Sequence, residues 1–166
     1  MAFENRQLLV IEVFVCLFAW LSIANVFWLP RLDALAPRRA LRALVAVQMF
    51  RIVGLTLLAN NVAAPGLDRG FAEWVATGDA LTSALAIAAF VALGRRGPSG
   101  LVLATMTTVF GTFDIFRNLI VGTRVNAAEY IASGWLVVAV AVPLMLVAHV
   151  GAARVLVRRA TWREAA

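Results

Sequence analysis

The sequence predicts an all-α integral membrane bundle of five transmembrane helices, and three observations lead to this prediction. Hydrophobic residues make up 63% of the chain and charged residues only 14%, whereas soluble domains contain about 25% charged residues. The apolar residues are gathered into blocks of about twenty, the length that an α-helix needs to cross a bilayer. Turn-forming and charged residues separate these blocks. The 166 residues are therefore predicted to form a single transmembrane domain, 1–166.

The boundaries of the helices follow from the apolar blocks and from the residues that break helices. The predicted spans cover residues 8–29, 41–62, 74–93, 100–121 and 130–150. Pro30 is expected to end the first span, because proline lacks the N–H that a helix interior needs. Pro143 is expected to kink the fifth span, and residues 151–166 are predicted to form a basic cytoplasmic tail. A signal peptide is the alternative for the first block, which is longer than the apolar core of about 7–15 residues in such peptides.

The arginines predict the orientation of the spans. The chain has fifteen arginines and no lysine, and its formal net charge is +6. Ten arginines lie after the first span, after the third span and in the tail, and three lie in the N-terminus and the other two loops. The positive-inside rule therefore predicts an outside N-terminus and a cytoplasmic C-terminus. This interpretation assigns the charge to topology, not to nucleic-acid binding. Arginine without lysine and abundant alanine suggest a bacterial genome, and hence a multi-pass protein of the inner (cytoplasmic) membrane.

Charged side chains inside the spans are the candidate functional residues. Each costs about 2.5–3.5 kcal/mol on insertion scales, so such residues are expected to have partners or a function. In the fourth span, Asp114, Arg117 and Asn118 share one helical face because they are spaced i, i+3 and i+4. Arg51 lies in the second span and Asp79 in the third.

The predicted depths bring these residues into one half of the membrane. Glu12 in the first span and the charged residues of the other spans all fall between mid-bilayer and the outer surface. In the second span, Gln48, Arg51 and Leu55 are predicted to share a face. In the third, the stripe that begins at Asp79 continues with the small or polar Thr82, Ser83 and Ala86. We expect a polar interior that opens outward, with Arg51 at its centre.

Several of these residues also have a purely structural interpretation. Arg51 between Asp79 and Asp114 fits a structural ion pair. Glu12 and Arg117 are close enough to the surface to extend toward lipid headgroups. Asn118 can be explained by a hydrogen bond to the backbone of a neighbouring helix, and His149 by a position at the cytoplasmic boundary of the membrane.

The chain has one cysteine and one histidine, which excludes an internal disulfide, a two-histidine haem and a Cys/His zinc site within one chain. No cofactor and no metal are expected.

Short motifs in four spans resemble those of a loose group of small, uncharacterised bacterial integral-membrane proteins. They are Gln48-x-Phe50-Arg51-x-x-Gly54, Gly78-Asp79, Gly111-x-x-Asp114, and Pro143 with His149. The resemblance covers residues 44–157 and leaves the first span, Glu12 and Arg117 outside the pattern. It implies a polytopic membrane protein, adds Gln48 and His149 to the polar set, and supplies no activity.

Three functions remain open. The first is a non-enzymatic membrane protein that binds a small amphipathic or anionic ligand through Arg51, or that acts as an accessory subunit of a membrane complex. Membrane lipids are its expected partners, a homo-oligomer is left open, and nucleic acid is not expected. The second is an enzyme acting on a lipid-phase substrate with Asp79 and Asp114 as acid and base, which requires both carboxylates to line an open cavity. The third is a small transporter or channel subunit, which requires a polar route to the cytoplasm. Absence of a nucleophile–base pair favours the first.

Overall fold

A computed structural model describes residues 4–95 and 97–164, with side chains as far as Arg158. All the regular structure in these residues is helical. Within the described residues, five helices are long and apolar enough to cross a membrane. They are α1, Asn5–Asp33; α2, Pro37–Leu58; α3, Arg69–Leu93; α4, Ser99–Arg124; and α5, Ala132–Arg158. The all-α class and the number of long apolar helices are confirmed.

Helix α1 does not end where its proline predicts. It continues through Pro30 to Asp33, so the connector to α2 is only residues 34–36. A π-helical turn, Ala24–Trp28, directly precedes this part, and the N–H of Leu29 donates to the carbonyl of Ala24 five residues back. Such a turn rearranges the backbone hydrogen bonds at the place where proline can neither donate nor tolerate a close carbonyl. The prediction that Pro30 breaks the helix is wrong for this reason.

Helix α5 also has a π-helical turn shortly before a proline. A π-helical turn, Val137–Ala141, stands directly before Pro143, where the sequence predicts a kink. The α-helical part, Val142–Glu164, then runs without a break through the position where the last span was expected to end. The basic segment after residue 150 is thus a continuation of α5. Arg96 of the basic turn, residues 165–166 and the side chains of Arg159 and Arg163 lie outside the described residues.

Helix α2 changes its helical period halfway along. It is α-helical up to Gln48 and then forms a ten-residue 3-10 helix that ends at Leu58. With three residues per turn, side chains at i and i+3 lie directly above one another. Arg51 and Gly54 are accordingly buried, whereas Leu55 is 40% exposed. The prediction that Leu55 shares the face of Gln48 and Arg51 is therefore wrong, because it assumes an α-helical period throughout.

Helices α2 to α5 pack together, while α1 lies at the edge and contacts mainly α5. Ala24 is the only buried residue in the described part of α1. The apolar core of the bundle is formed by small and aliphatic residues of α2, α3, α4 and α5. It consists of Leu41, Leu44, Val45, Ala89, Leu93, Ala104, Ala148 and Ala152. In α2, the polar residues begin one turn beyond this core, at Gln48.

Candidate functional site

Arg51 stands at the centre of a buried ion-pair network that joins three helices. Its side chain is 1% exposed. Its Nε donates to Oδ1 of Asp79 at 2.7 Å, and its Nη1 donates to the carbonyl oxygen of Gly111 at 2.8 Å. Its Nη2 donates to Oδ1 of Asp79 and to Oδ2 of Asp114. All three guanidinium nitrogens therefore have partners. We call Arg51, Asp79 and Asp114 the Arg51 network.

The predicted face of α4 extends this network toward the C-terminal end of the helix. Nδ2 of Asn118 donates to Oδ2 of Asp114 at 3.2 Å, and Nη1 of Arg117 donates to Oδ1 of Asn118 at 3.4 Å. The guanidinium carbon of Arg117 lies 3.9 Å from the centroid of the Trp74 ring, a distance typical of a cation–π contact. Arg117 is thus held by an aromatic face on α3. Together with the Arg51 network it gives two cations and two carboxylates, which balance in charge.

Three glycines allow the helices to come close enough for these contacts. A Cβ added at Gly54 would lie 1.8 Å from Oδ2 of Asp79, and one added at Gly78 would lie 2.2 Å from Oδ1 of Asp114. A Cβ at Gly111 would lie 2.6 Å from Cε1 of His149. These distances are too short for any side chain. The glycines of the three motifs therefore make room for the polar groups of the facing helices.

Gln48 and His149 lie beside the network, each with 2% of its surface exposed. Nε2 of Gln48 donates to the carbonyl of Met145 at 3.0 Å. The ring of His149 packs against Gly111, whose carbonyl accepts from Arg51. The sequence also fits His149 as an interfacial residue; in the structure its side chain is buried in the bundle, and α5 continues well beyond residue 150.

Glu12 is not part of this arrangement. Its side chain is exposed, and its Oε2 accepts a hydrogen bond from Nε1 of Trp135 on α5. Near the same end of α1, Nδ2 of Asn5 donates to Oε2 of Glu129 at 2.8 Å. These contacts attach α1 to the rest of the chain. Of the seven predicted site residues, the structure groups Arg51 with five others and leaves Glu12 apart.

Ser83 supports the unusual geometry of α2. Its hydroxyl donates to the carbonyl of Met49 at 2.8 Å, at the point where the α-helix becomes a 3-10 helix. The hydroxyl of Thr82 donates within α3 to the carbonyl of Gly78. In the predicted stripe of α3, Thr82, Ser83 and Ala86 are buried and Asp79 is half-buried. Trp74 and Met145 were missed, because an interfacial tryptophan and a backbone carbonyl carry no distinctive sequence signal.

The Arg51 network lines neither of two surface cavities found among the described residues. One, of about 810 Å³, lies at the loop between α2 and α3, and the other, of about 470 Å³, lies between α1 and α5. Asp114 is 3% exposed and Asp79 is 15% exposed. Among the described residues, no three His, Cys, Asp or Glu side chains are grouped to hold a metal ion. The site is a closed polar core.

Comparison with known proteins identifies the family of the chain but no activity. No curated protein matches the chain, and no solved structure matches it. One family model, described as a domain of unknown function (DUF8737), matches residues 8–157. The match includes the first span, which the resemblance noted above leaves out. Because it covers most of the 166 residues, the chain belongs to the family of the domain of unknown function DUF8737.

Proposed function

We propose that the protein is a non-enzymatic, multi-pass protein of the cytoplasmic membrane that binds a small amphipathic ligand near its outer surface. The proposed topology has the N-terminus outside and the C-terminus in the cytoplasm, as the arginine distribution predicts. In this orientation the 810 Å³ cavity faces outward. This cavity is the observation that carries the proposal.

The size and lining of the cavity suit an amphipathic ligand. Small-molecule sites typically measure about 300–1,000 Å³ and combine an apolar surface with a few polar groups. Here the half-buried Leu57 and the buried Ala72 supply apolar surface. Exposed polar residues complete the lining: Asn60, Asn61, Arg69 and Glu73. Arg69 and Glu73 form an ion pair at 2.8 Å whose side chains are 92% and 54% exposed, so both can reorient toward a polar headgroup.

The Arg51 network supports this cavity without taking part in binding. It joins the 3-10 segment of α2 to α3 and α4, and Leu57 and Ala72 lie on two of these helices. A ligand anchored directly on Arg51 would have to displace Asp79 or Asp114, since every nitrogen of the guanidinium is already bonded. We therefore assign Arg51 a positioning role beneath the ligand.

The alternatives have less support. An acid–base role for Asp79 and Asp114 requires an open cavity, and both carboxylates are instead bonded to Arg51 within the bundle. A transporter requires a polar route to the cytoplasm, and Asn25, the polar residue that α1 could add to Gln48 and His149 on such a route, is exposed. The accessory-subunit alternative would use α1, a helix at the edge with one buried residue, whose apolar face is otherwise covered by lipid.

One experiment tests these proposals together. Ala59 lines the cavity and is exposed, so Ala59→Trp would fill it without changing charge. Ala84→Trp, on the exposed face of α3, is the matched control. Native mass spectrometry in a non-ionic detergent would measure retention of lysophosphatidylglycerol, an anionic amphipathic probe.

We expect one probe molecule to be retained by the wild type and by Ala84→Trp, and at least tenfold less retention by Ala59→Trp. Equal retention by all three proteins, or none by the wild type, would refute the cavity as the binding site. The same spectra report the mass of the particle. A dimer or a complex with another protein would support the accessory-subunit alternative.

A further inference from the structure

Two buried polar side chains next to the Arg51 network have atoms without partners. Oε1 of Gln48 and both ring nitrogens of His149 make no hydrogen bond with any described residue. Each side chain is only 2% exposed. In folded proteins nearly all buried polar atoms are hydrogen-bonded to protein or to ordered water. These three atoms therefore require an explanation.

The two residues belong to one place in the bundle. Gln48 donates through Nε2 to the carbonyl of Met145, which lies one helical turn before His149 on α5. In the α-helix Val142–Glu164 the same carbonyl is the acceptor for the backbone N–H of His149. The His149 ring in turn packs against Gly111, whose carbonyl accepts from Arg51. Gln48, His149 and the network thus meet where α2, α4 and α5 come together.

The chemistry of the unpartnered atoms selects the ligand. A neutral imidazole has one donor and one acceptor, and Oε1 of an amide is an acceptor. An anion without a bound proton cannot donate to the two acceptors. A metal ion held by protein usually needs more ligands than one imidazole and one amide oxygen. Water can donate and accept, and buried water typically makes about three hydrogen bonds to such atoms.

We propose that Gln48 and His149 form a buried hydration site in the centre of the bundle. The two ring nitrogens point to different sides of the imidazole, so the site takes at least two water molecules. One water molecule donates to Oε1 of Gln48 and contacts the nearer ring nitrogen of His149. The other water molecule forms a hydrogen bond with the second ring nitrogen. Through Gly111, this site extends the polar interior from Arg51 by one turn toward the start of α2. It is independent of the outer cavity, and either proposal can fail alone.

The single histidine of the chain makes the site directly observable. Protein labelled with ¹⁵N-histidine and reconstituted in lipid vesicles has one imidazole, His149. Solid-state NMR with polarisation transfer from water protons reports whether water contacts each ring nitrogen. We expect a neutral imidazole whose two nitrogens both receive polarisation from water.

If neither ring nitrogen of the wild type receives polarisation from water, the site is dry and the proposal is overturned. Resonances that change on addition of a chelator or of Zn²⁺ would point to a metal ligand and would also overturn it.

A pair of variants locates the water. Gln48→Leu removes Oε1 and is expected to reduce transfer to one nitrogen of His149 at least twofold. Thr105→Val is the control, because the Thr105 hydroxyl lies on the exposed face of α4 and donates to Leu101 within its own helix. Equal effects of both variants would contradict the assignment of Gln48 to the site. If Gln48→Leu does not fold, the wild-type spectrum alone still decides whether the site is hydrated.

Discussion

Replacing Arg51 by methionine removes the cation to which both carboxylates of the network are bonded. Asp79 has hydrogen bonds with Arg51 alone among the described residues, while Asp114 keeps a bond from Asn118. Asp79 in particular becomes a carboxylate inside the bundle with no opposite charge. We therefore expect Arg51→Met to be strongly destabilising, even though methionine fills much of the space of the arginine stem.

Two independent scales give the size of this effect. Removing one partner of a buried ion pair costs about 3–5 kcal/mol. A charged residue at the centre of a membrane helix costs about 2.5–3.5 kcal/mol on insertion scales. Both ranges include about 3 kcal/mol, which corresponds to a change of about a hundredfold in the unfolding equilibrium at 1.4 kcal/mol per factor of ten. A variant that also carries Asp79→Asn and Asp114→Asn has no unpaired carboxylate in the network, while Arg117 keeps its contact with Trp74, so this variant should regain at least half of the loss.

Unfolding by sodium dodecyl sulfate in mixed lipid–detergent micelles would measure these free energies through the fluorescence of the five tryptophans. Arg69→Met is the control, because it breaks an exposed ion pair with Glu73, and such pairs contribute little. The reasoning is refuted if Arg51→Met costs less than about 1 kcal/mol, well below the range for buried pairs. It is also refuted if the triple variant is no more stable than the single one.

Two further predictions concern packing and orientation. Gly78→Ala should lower the free energy of unfolding by about 1–3 kcal/mol, the usual cost of overpacking, because its Cβ would lie 2.2 Å from Asp114. Gly70→Ala, whose nearest neighbour would be 3.4 Å away, should not destabilise, and equal losses in the two variants would contradict the packing argument. In a Cys16→Ser background, the exposed Thr123→Cys should react with an impermeant maleimide on intact cells, whereas Leu35→Cys should react only after lysis. The opposite pattern would reverse the proposed topology.

The sequence alone determined the class of the protein and the composition of its polar core. Hydropathy and length are local properties, so the five apolar helices could be predicted without knowing how they pack. The charges were predictable as a group, because an isolated charge in an apolar helix requires a partner. The pairing of Arg51 with Asp79 and Asp114 followed from depth, and the structure contains that pairing.

Only the tertiary structure decided the register and the membership of the site. An α-helical period predicts Leu55 on the face of Arg51, but α2 is a 3-10 helix at that point, and Ser83 of α3 bonds the carbonyl where the change begins. Such a change depends on contacts with another helix, which no local pattern contains. For the same reason Glu12, charged and within an apolar span like the others, lies outside the network on a helix at the edge of the bundle.

His149 is the clearest example of a residue whose surroundings the sequence could not determine. Its depth was inferred from where the last apolar block ends, and the helix continues through the basic residues that follow. Arginines with long apolar stems can extend a helix past the hydrophobic stretch, so the end of an apolar block does not mark the end of a helix. The residues of the polar core could therefore be predicted from the sequence, whereas their arrangement around Arg51 was set by the packing of four helices.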